Sequence, residues 1–272
     1  MGRIHFIELE DLPWFPAAIR DASTDYLRAM LRAIRGYEAA IPLLAAALEQ
    51  SGRKQIVDLC SGGAGPWPDL LPILKNEVGE VSVCLTDKYP NISAYESLRD
   101  RLNGSAPKFE RRSVDARSVP RSLKGFRTMF TALHHFRPEE VEAIFQDAID
   151  AGEPIAAFEV TERTVGAVLK TLATPLLVFL LTPFIRPFQW SRLFWTYIIP
   201  AVPLLAVFDG IVSGFRSYSP SEIESLVKQL DGTHYNWKIG KLPGLAMPMT
   251  YVIGTPRETA ESRPGELRRD AA

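Results

Sequence analysis

From residue 50 onward, short apolar runs of strand length alternate with stretches whose apolar positions recur at helical spacing. The spacing predicts a strand through Ile56 and Val57 and further strands over 81–86, 108–113, 127–132 and 154–160. Between them it predicts helices over 68–77, despite Pro72, and over 92–102 and 138–150. Alternation of this kind builds an α/β domain: a mostly parallel sheet covered by helices on both faces, with ligands at the C-terminal strand ends. Upstream, Tyr26, Met30, Ile34, Ile41, Leu44 and Leu48 mark a helical preface over 22–50, with Ser23, Thr24 and Asp25 as caps. Downstream, Ser219 or Ser221 can cap a helix reaching about residue 230, and strands near 235–241 and 249–254 close the sheet as a hairpin. The expected organisation is a helical segment over 1–50, a main domain over 51–257 and a polar, disordered tail over 258–272.

Residues 166–215 interrupt the rhythm. Thr171 to Ile185 and Leu193 to Phe208 contain no charged residue, while Pro175, Pro183, Pro200 and Pro203 break them and Arg186 and Arg192 lie between. Each run is shorter than the roughly 20 residues that a spanning helix needs, so a transmembrane hairpin is disfavoured. The run carries Phe179, Phe184, Phe188, Trp190, Phe194, Trp195 and Tyr197, and that much apolar surface requires a partner. The rest of the domain, a second subunit and a bilayer surface are the three options. A helical cap over an apolar pocket is the first expectation, with Leu12-Pro-Trp-Phe-Pro completing its rim.

Composition narrows the function classes. A chain of 272 residues that is 46% hydrophobic and 23% charged can bury a large core. Its net charge of −1, with no basic patch interleaved with aromatics, argues against a nucleic-acid partner. The two cysteines, Cys60 and Cys84, do not form a metal-spaced pair and read as reduced, packed thiols, so no metal is expected. The N-terminus has no signal-peptide apolar region, and a cytoplasmic location follows as the expectation.

The chemistry concentrates at residues 55–67, where an apolar strand ends in Asp58 and then in a loop of small residues, Ser61 to Gly65. Small residues let the backbone turn tightly and approach a ligand closely. A dinucleotide loop would need G-x-G-x-x-G, yet counting from Gly62 the second and third glycine positions hold Ala64 and Trp67. Pro66 and Pro68 also remove amides near the helix start, and no Gly-Lys-Ser/Thr marks a P-loop. An adenosine ligand without phosphates, carrying an amino acid as its polar end, fits better.

Asp58-Leu-Cys-Ser-Gly-Gly-Ala-Gly resembles the first motif of the class I S-adenosylmethionine-dependent methyltransferases, Asp-x-Gly-x-Gly-x-Gly, with Cys60 and Ala64 at the outer glycine positions. The likeness covers most of residues 50–255 and implies a Rossmann-like fold with a seven-stranded, mostly parallel sheet. It implies S-adenosyl-L-methionine as cofactor, held by Asp58, Cys60, Ser61, Gly62, Gly63, Asp87, Asp115 and Ala116. Within that set, Asp58 and the backbone of Ser61 to Gly63 would hold the methionine end. Asp87 ends the second predicted strand, where a carboxylate can accept from both ribose hydroxyls. Asp115, in Ser113-Val-Asp-Ala116, resembles the family's Asp-Ala segment, whose Asp receives the adenine amino group.

Methyl transfer is an in-line displacement, so alignment dominates, with a base added when the acceptor carries a proton. Candidates for catalysis are His134 and His135 after the fourth main strand and Glu159 at the end of the next. An imidazole there can equally pack against the cofactor or bond backbone, and Glu159 can equally be a water-facing strand end. Asp209 and Arg216, at the end of the apolar insertion, either contact the acceptor or mark where the chain resurfaces. The expected function is methyl transfer to a small, hydrophobic or lipid-like acceptor, with peripheral membrane contact or a homodimer through 166–215 left open. The competing reading is a non-catalytic cofactor-binding protein that assembles or regulates a membrane complex.

Overall fold

The computed structural model describes residues 2–101, 106–232, 234–243 and 247–257, so the expected tail over 258–272 lies outside the described residues. Seven strands form one sheet in the order β3-β2-β1-β4-β5-β7-β6. They are β1 Gln55–Leu59, β2 Ser82–Leu85, β3 Lys108–Phe109, β4 Phe126–Phe130, β5 Ile155–Glu159, β6 Tyr235–Leu242 and β7 Met249–Pro256. The first five are parallel, and β7 runs antiparallel to both β5 and β6. The expected strand over 108–113 is cut to two residues, because Glu110, Arg111 and Arg112 form an edge whose charges pair outward.

The helices are α1 Ala17–Ala33, α2 Ile41–Ser51, α3 Trp67–Val78, α4 Ile92–Arg101 and α5 Pro138–Ala151. They continue as α6 Val165–Leu172, α7 Thr174–Leu181, α8 Trp190–Leu193, α9 Ala201–Arg216 and α10 Pro220–Val227. The preface is therefore two helices, parted where Arg35 takes a left-handed φ of 52° ahead of Gly36. Its start lies before the expected caps, so Ser23, Thr24 and Asp25 sit inside α1. Ser219 does cap α10, its hydroxyl accepting from the Glu222 amide while the Glu222 carboxylate accepts from the Ser219 amide. That helix stops at Val227, short of residue 230.

Alternating strand residues divide the core into two layers. Ile56, Phe126, Phe130 and Phe158 pack under α2 and α3, while Val57, Leu59, Met129 and Ile155 meet Val141, Ile144 and Phe145 of α5. A third cluster joins Ile19, Ala22 and Tyr26 of α1 to Val178, Ile185, Val202 and Leu205 of the 165–216 helices. Asp25 reinforces that junction by pairing with both Arg28 and the buried Arg192. The expected cap is thus helical, and its burial is uneven: no residue of α6 and only Val178 of α7 is buried, whereas α9 buries Val202, Leu205, Val212 and Arg216 along one face.

Gly125 shows how tightly β4 enters the sheet. Its φ is 144°, and a Cβ there would lie 2.5 Å from the Gln55 carbonyl oxygen on β1. A backbone contact cannot swing aside, so Gly125→Ala is expected to lower unfolding stability by about 3 kcal/mol or more in urea denaturation.

Candidate active site

At the C-terminal end of β1 the Asp58 carboxylate is sealed from solvent. Its Oδ1 accepts from the Thr128 hydroxyl on β4 at 2.7 Å, and its Oδ2 accepts from the Ser61 hydroxyl at 2.7 Å. Asp58 therefore fastens the glycine loop to the sheet. Burial pushes its carboxyl up to about 7, outweighing the donors that favour the charge. The loop is also zipped to β2: the Ser61 amide donates to the Thr86 carbonyl at 3.0 Å, and the Gly62 amide donates to Asp87 Oδ2 at 2.8 Å.

The two motif positions where glycine is absent keep a glycine-like backbone. Cys60 has φ 58° and Ala64 φ 90°, beside Gly62 at 50° and Gly65 at 52°. A left-handed conformation costs an L-residue roughly 1–2 kcal/mol, so the hydrogen bonds and packing of the loop hold these two against their preference. Helix α1 lies across the loop. Thr24 Cγ2 is 3.4 Å and 3.5 Å from where side chains would start on Gly62 and Gly63, and Arg28 donates to the Gly63 carbonyl at 2.8 Å.

Asp87 is half-buried, and each oxygen holds one backbone donor, Gly62 on Oδ2 and Tyr89 on Oδ1. An ionised carboxylate has about four acceptor positions, so both oxygens retain capacity. Val114 continues the ladder through its amide to the Asp87 carbonyl, setting Asp115 and the buried Ala116 beside Asp87. Both Asp115 oxygens accept from the Arg117 guanidinium, at 2.9 and 2.6 Å, which holds this carboxyl down at about 2. Its sequence-predicted freedom to receive an amine is thereby reduced to its remaining lone pairs.

The ends of β4 and β5 carry the second half of the site. Thr131 takes φ 48°, an outlier for a β-branched residue, with its hydroxyl accepting from Tyr37 at 2.6 Å. The chain then turns so that His134 Nδ1 meets Glu159 Oε2 at 2.7 Å, while Glu159 Oε1 accepts from the Leu133 amide at 2.7 Å. Glu159 is buried and does not face water. Burial pushes its carboxyl up, but His134 and the Leu133 amide more than offset this and hold it below the usual range. Since the carboxylate can only accept, the Nδ1 position of His134 carries the proton. Nε2 is left as the acceptor when the ring is neutral.

An N-terminal strap closes over these histidines. Helix α9 presents Asp209, Ser213 and Arg216 at helical spacing on its buried face. Asp209 accepts from the Leu9 and Glu10 amides at 2.9 and 3.1 Å, and Ser213 donates to Glu8 Oε1 at 2.9 Å. The Arg216 guanidinium donates to the carbonyls of His134 and His135 at 3.0 and 2.6 Å and to Asp11 Oδ2 at 2.7 Å, and it lies 3.3 Å from Glu8 Oε1. His135 Nδ1 sits 2.8 Å from Asp11 and 3.0 Å from Glu8. Burial lowers the His135 pKa, but these two carboxylates raise it well above 6.5, so His135 is a cation at neutral pH. This narrows the candidate base to His134. Burial likewise opposes the Glu8 charge, yet His135, His134 and Arg216 pull its carboxyl down to about 2.

Glu8, His134 and His135 bring one oxygen and two ring nitrogens within 4.8 Å of one another, a metal-like grouping. Arg216 and protonated His135 already supply the positive charge that Glu8 needs. Glu8 and Asp11 were absent from the sequence-predicted site, because Glu-Leu-Glu-Asp near a terminus reads as a solvated acidic run. The local signal was the pair Asp209 and Arg216, charged residues in a largely apolar helix. Beside the strap, Phe6, Ile7, Phe208, Ile211, Val212 and Phe215 line an open apolar groove one residue away from Glu8 and Arg216.

Two outcomes follow from this geometry. Arg216→Met removes one of the cations that face the buried Glu8 and leaves two carbonyls without their donor, and chemical denaturation is expected to show a loss of about 3–5 kcal/mol. For Asp58, a native pKa above 3.8 means that the folded state binds more protons than the unfolded one between about pH 4 and 7. Stability conferred by the neutral carboxyl is therefore lost as pH rises through that window. Asp58→Asn is expected to flatten this part of the Tm–pH curve, whereas an unchanged slope would mean that Asp58 stays ionised throughout.

No protein-family model and no curated protein matches the sequence. Among solved structures, NcsB1, an O-methyltransferase from neocarzinostatin biosynthesis, solved with S-adenosylmethionine and 2-hydroxy-5-methyl naphthoic acid, superposes with a TM-score of 0.53 at 15% identity. The alignment covers 88% of this chain and 58% of that one. A Nostoc punctiforme protein assigned as an O-methyltransferase gives 0.50 at 13% identity, covering 93% of this chain and 64% of that one. The chain thus spans less than two thirds of the length of either. A Rhodobacter sphaeroides protein named among Zn-dependent alcohol dehydrogenases gives 0.51 at 13% identity, covering 89% of this chain and all of that one. Identities this low carry architecture and not reaction. With its seven-stranded, mostly parallel sheet and antiparallel β7, the chain has a Rossmann-like methyltransferase fold.

Proposed function

We propose that this chain transfers a methyl group from S-adenosylmethionine to a small, apolar acceptor. The observation that carries the reading is the Asp87 carboxylate, fixed by the Gly62 and Tyr89 amides with lone pairs to spare, beside a glycine loop whose Gly62 takes a left-handed φ of 50°. A vicinal diol suits such an acceptor pair, and a backbone without side chains suits an amino-acid end lying along it. Asp87 would hold the ribose hydroxyls, Ser61 to Gly63 the methionine end, and Asp115 with Ala116 the adenine. Cys60 supplies a small side chain in the same wall, and Asp58 acts through the loop that it anchors. When bound, the cofactor supplies an electrophilic methyl group on a sulfonium.

The acceptor half is served by His134, whose Nδ1–H is committed to Glu159 so that Nε2 is the atom able to take a proton. His135, held as a cation, orients an electron-rich oxygen better than it removes a proton. The apolar groove along the strap supports a hydrophobic acceptor, and NcsB1 binding a naphthoic acid is consistent with that class.

Titration calorimetry with S-adenosylmethionine and its demethylated product tests the cofactor half. Asp87→Ala is expected to bind at least ~10-fold more weakly, as the loss of charge-assisted hydrogen bonds requires, and unchanged affinity would remove the ribose assignment. Incubation with methyl-labelled cofactor and an apolar extract tests turnover. His134→Gln is expected to slow labelling by roughly 100-fold or more while cofactor affinity stays within about twofold. Tight cofactor binding without any labelled product would overturn the enzyme reading.

A further inference from the structure

The helices between β5 and α10 carry an apolar surface that the fold leaves uncovered. Helix α7, Thr-Pro-Leu-Leu-Val-Phe-Leu-Leu, is apolar on every side, yet only Val178 is buried. A helix of that composition belongs in an apolar surrounding on all faces, whether a protein core or lipid. The same exposure continues on the neighbouring segments: Leu176 is 63% exposed, Phe184 77%, Trp190 77%, Ile198 72% and Leu204 67%. Such an expanse exceeds what a monomer in water ordinarily displays.

Charge and shape select the partner. Across residues 164–215 the charged residues are Lys170, Arg186, Arg192 and Asp209; Arg192 and Asp209 are buried, and the two exposed ones are both cations. Among the described residues no single helix is long and apolar enough to cross a membrane. Two bent pairs are, taken together: 165–172 with 174–184, bent by 41°, and 190–198 with 201–216, bent by 77°. Each pair is thus broken at its bend and forms no single straight rod of spanning length. A protein partner would call for a polar rim with hydrogen-bonding groups around an apolar centre. This face instead carries Lys170 and Arg186 as its exposed charges, with Gln189, Ser191 and the aromatic Trp190 and Tyr197 as further polar elements, a pattern that suits an interfacial surface.

We infer that the face formed by α6, α7, α8 and α9 docks on a lipid bilayer, inserting to interfacial depth without crossing. The surface is independent of methyl transfer, and its test uses binding alone. The full chain, purified in mild detergent, is dialysed against vesicles of phosphatidylcholine with or without phosphatidylglycerol and floated on a density gradient. The chain is expected to float with both, more fully with the anionic lipid because Lys170 and Arg186 are the exposed charges. The variant Leu176→Glu/Phe184→Glu/Trp190→Glu alters exposed positions only and is expected to partition roughly tenfold or more weakly with its Tm preserved. Quenching of tryptophan emission by brominated acyl chains, in the unmutated chain, gives a reading that needs no variant. A chain left at the bottom of both gradients, unquenched emission, or flotation undiminished in a folded variant would each overturn the proposal. So would a detergent-free dimer by light scattering that the variant turns into monomer, since a second copy would then be the cover.

Discussion

The buried contact between Arg216 and the N-terminal strap is the constraint on which the site's assembly depends. A guanidinium taken out of water needs its donors filled, and here they are filled by two parts of the chain far apart in sequence: Asp11 and Glu8 of the strap, and the carbonyls of His134 and His135 after β4. Because Arg216 ends α9, the same contact fixes the last helix of the insertion against the sheet. The histidines, the strap and the apolar helices are thus positioned together. Asp209 and Ser213 extend the contact along one helix face, turning a single ion pair into a seam.

Much of the sheet was legible in the sequence because its signals are local. Alternation of strand and helix patterns gives the parallel order, and Asp58 followed by small residues locates the loop after β1. Asp87, two residues past β2, follows from the same rule that ligand-facing residues gather at strand ends, whereas Asp115 lies six residues beyond the shortened β3. What escaped was whatever depends on distant chain segments. Ser23 to Asp25 look like helix caps in isolation, but Ala22 and Tyr26 pack onto the later helices and draw α1 back to Ala17. His134 and His135 look equivalent in sequence. His134 bonds Glu159 across the sheet with Glu8 3.9 Å from its other ring nitrogen, while His135 lies between two carboxylates from the strap that raise its pKa.

The 165–216 helices show the limit in another way. Their apolar composition predicted that something must cover them, and a cap over a pocket was the nearest option within the chain. The fold uses Val178, Ile185, Val202 and Leu205 to attach the helices to α1 and one face of α9 to meet the strap, and it leaves many apolar side chains of α6, α7 and α8 outward. Attachment needed one stripe of each helix, whereas composition supplied apolar residues all round.

The left-handed backbone at Cys60 and Ala64 bears on how the loop meets a ligand. Glycine there would leave the unfolded and the unliganded loop with many conformations to lose, whereas these residues occupy their uncommon region because Asp58, Thr86 and Asp87 hold the turn from outside. The loop's shape is therefore settled when the sheet forms. A molecule arriving at this edge meets a finished surface, and its affinity is spared the entropy of ordering a flexible loop.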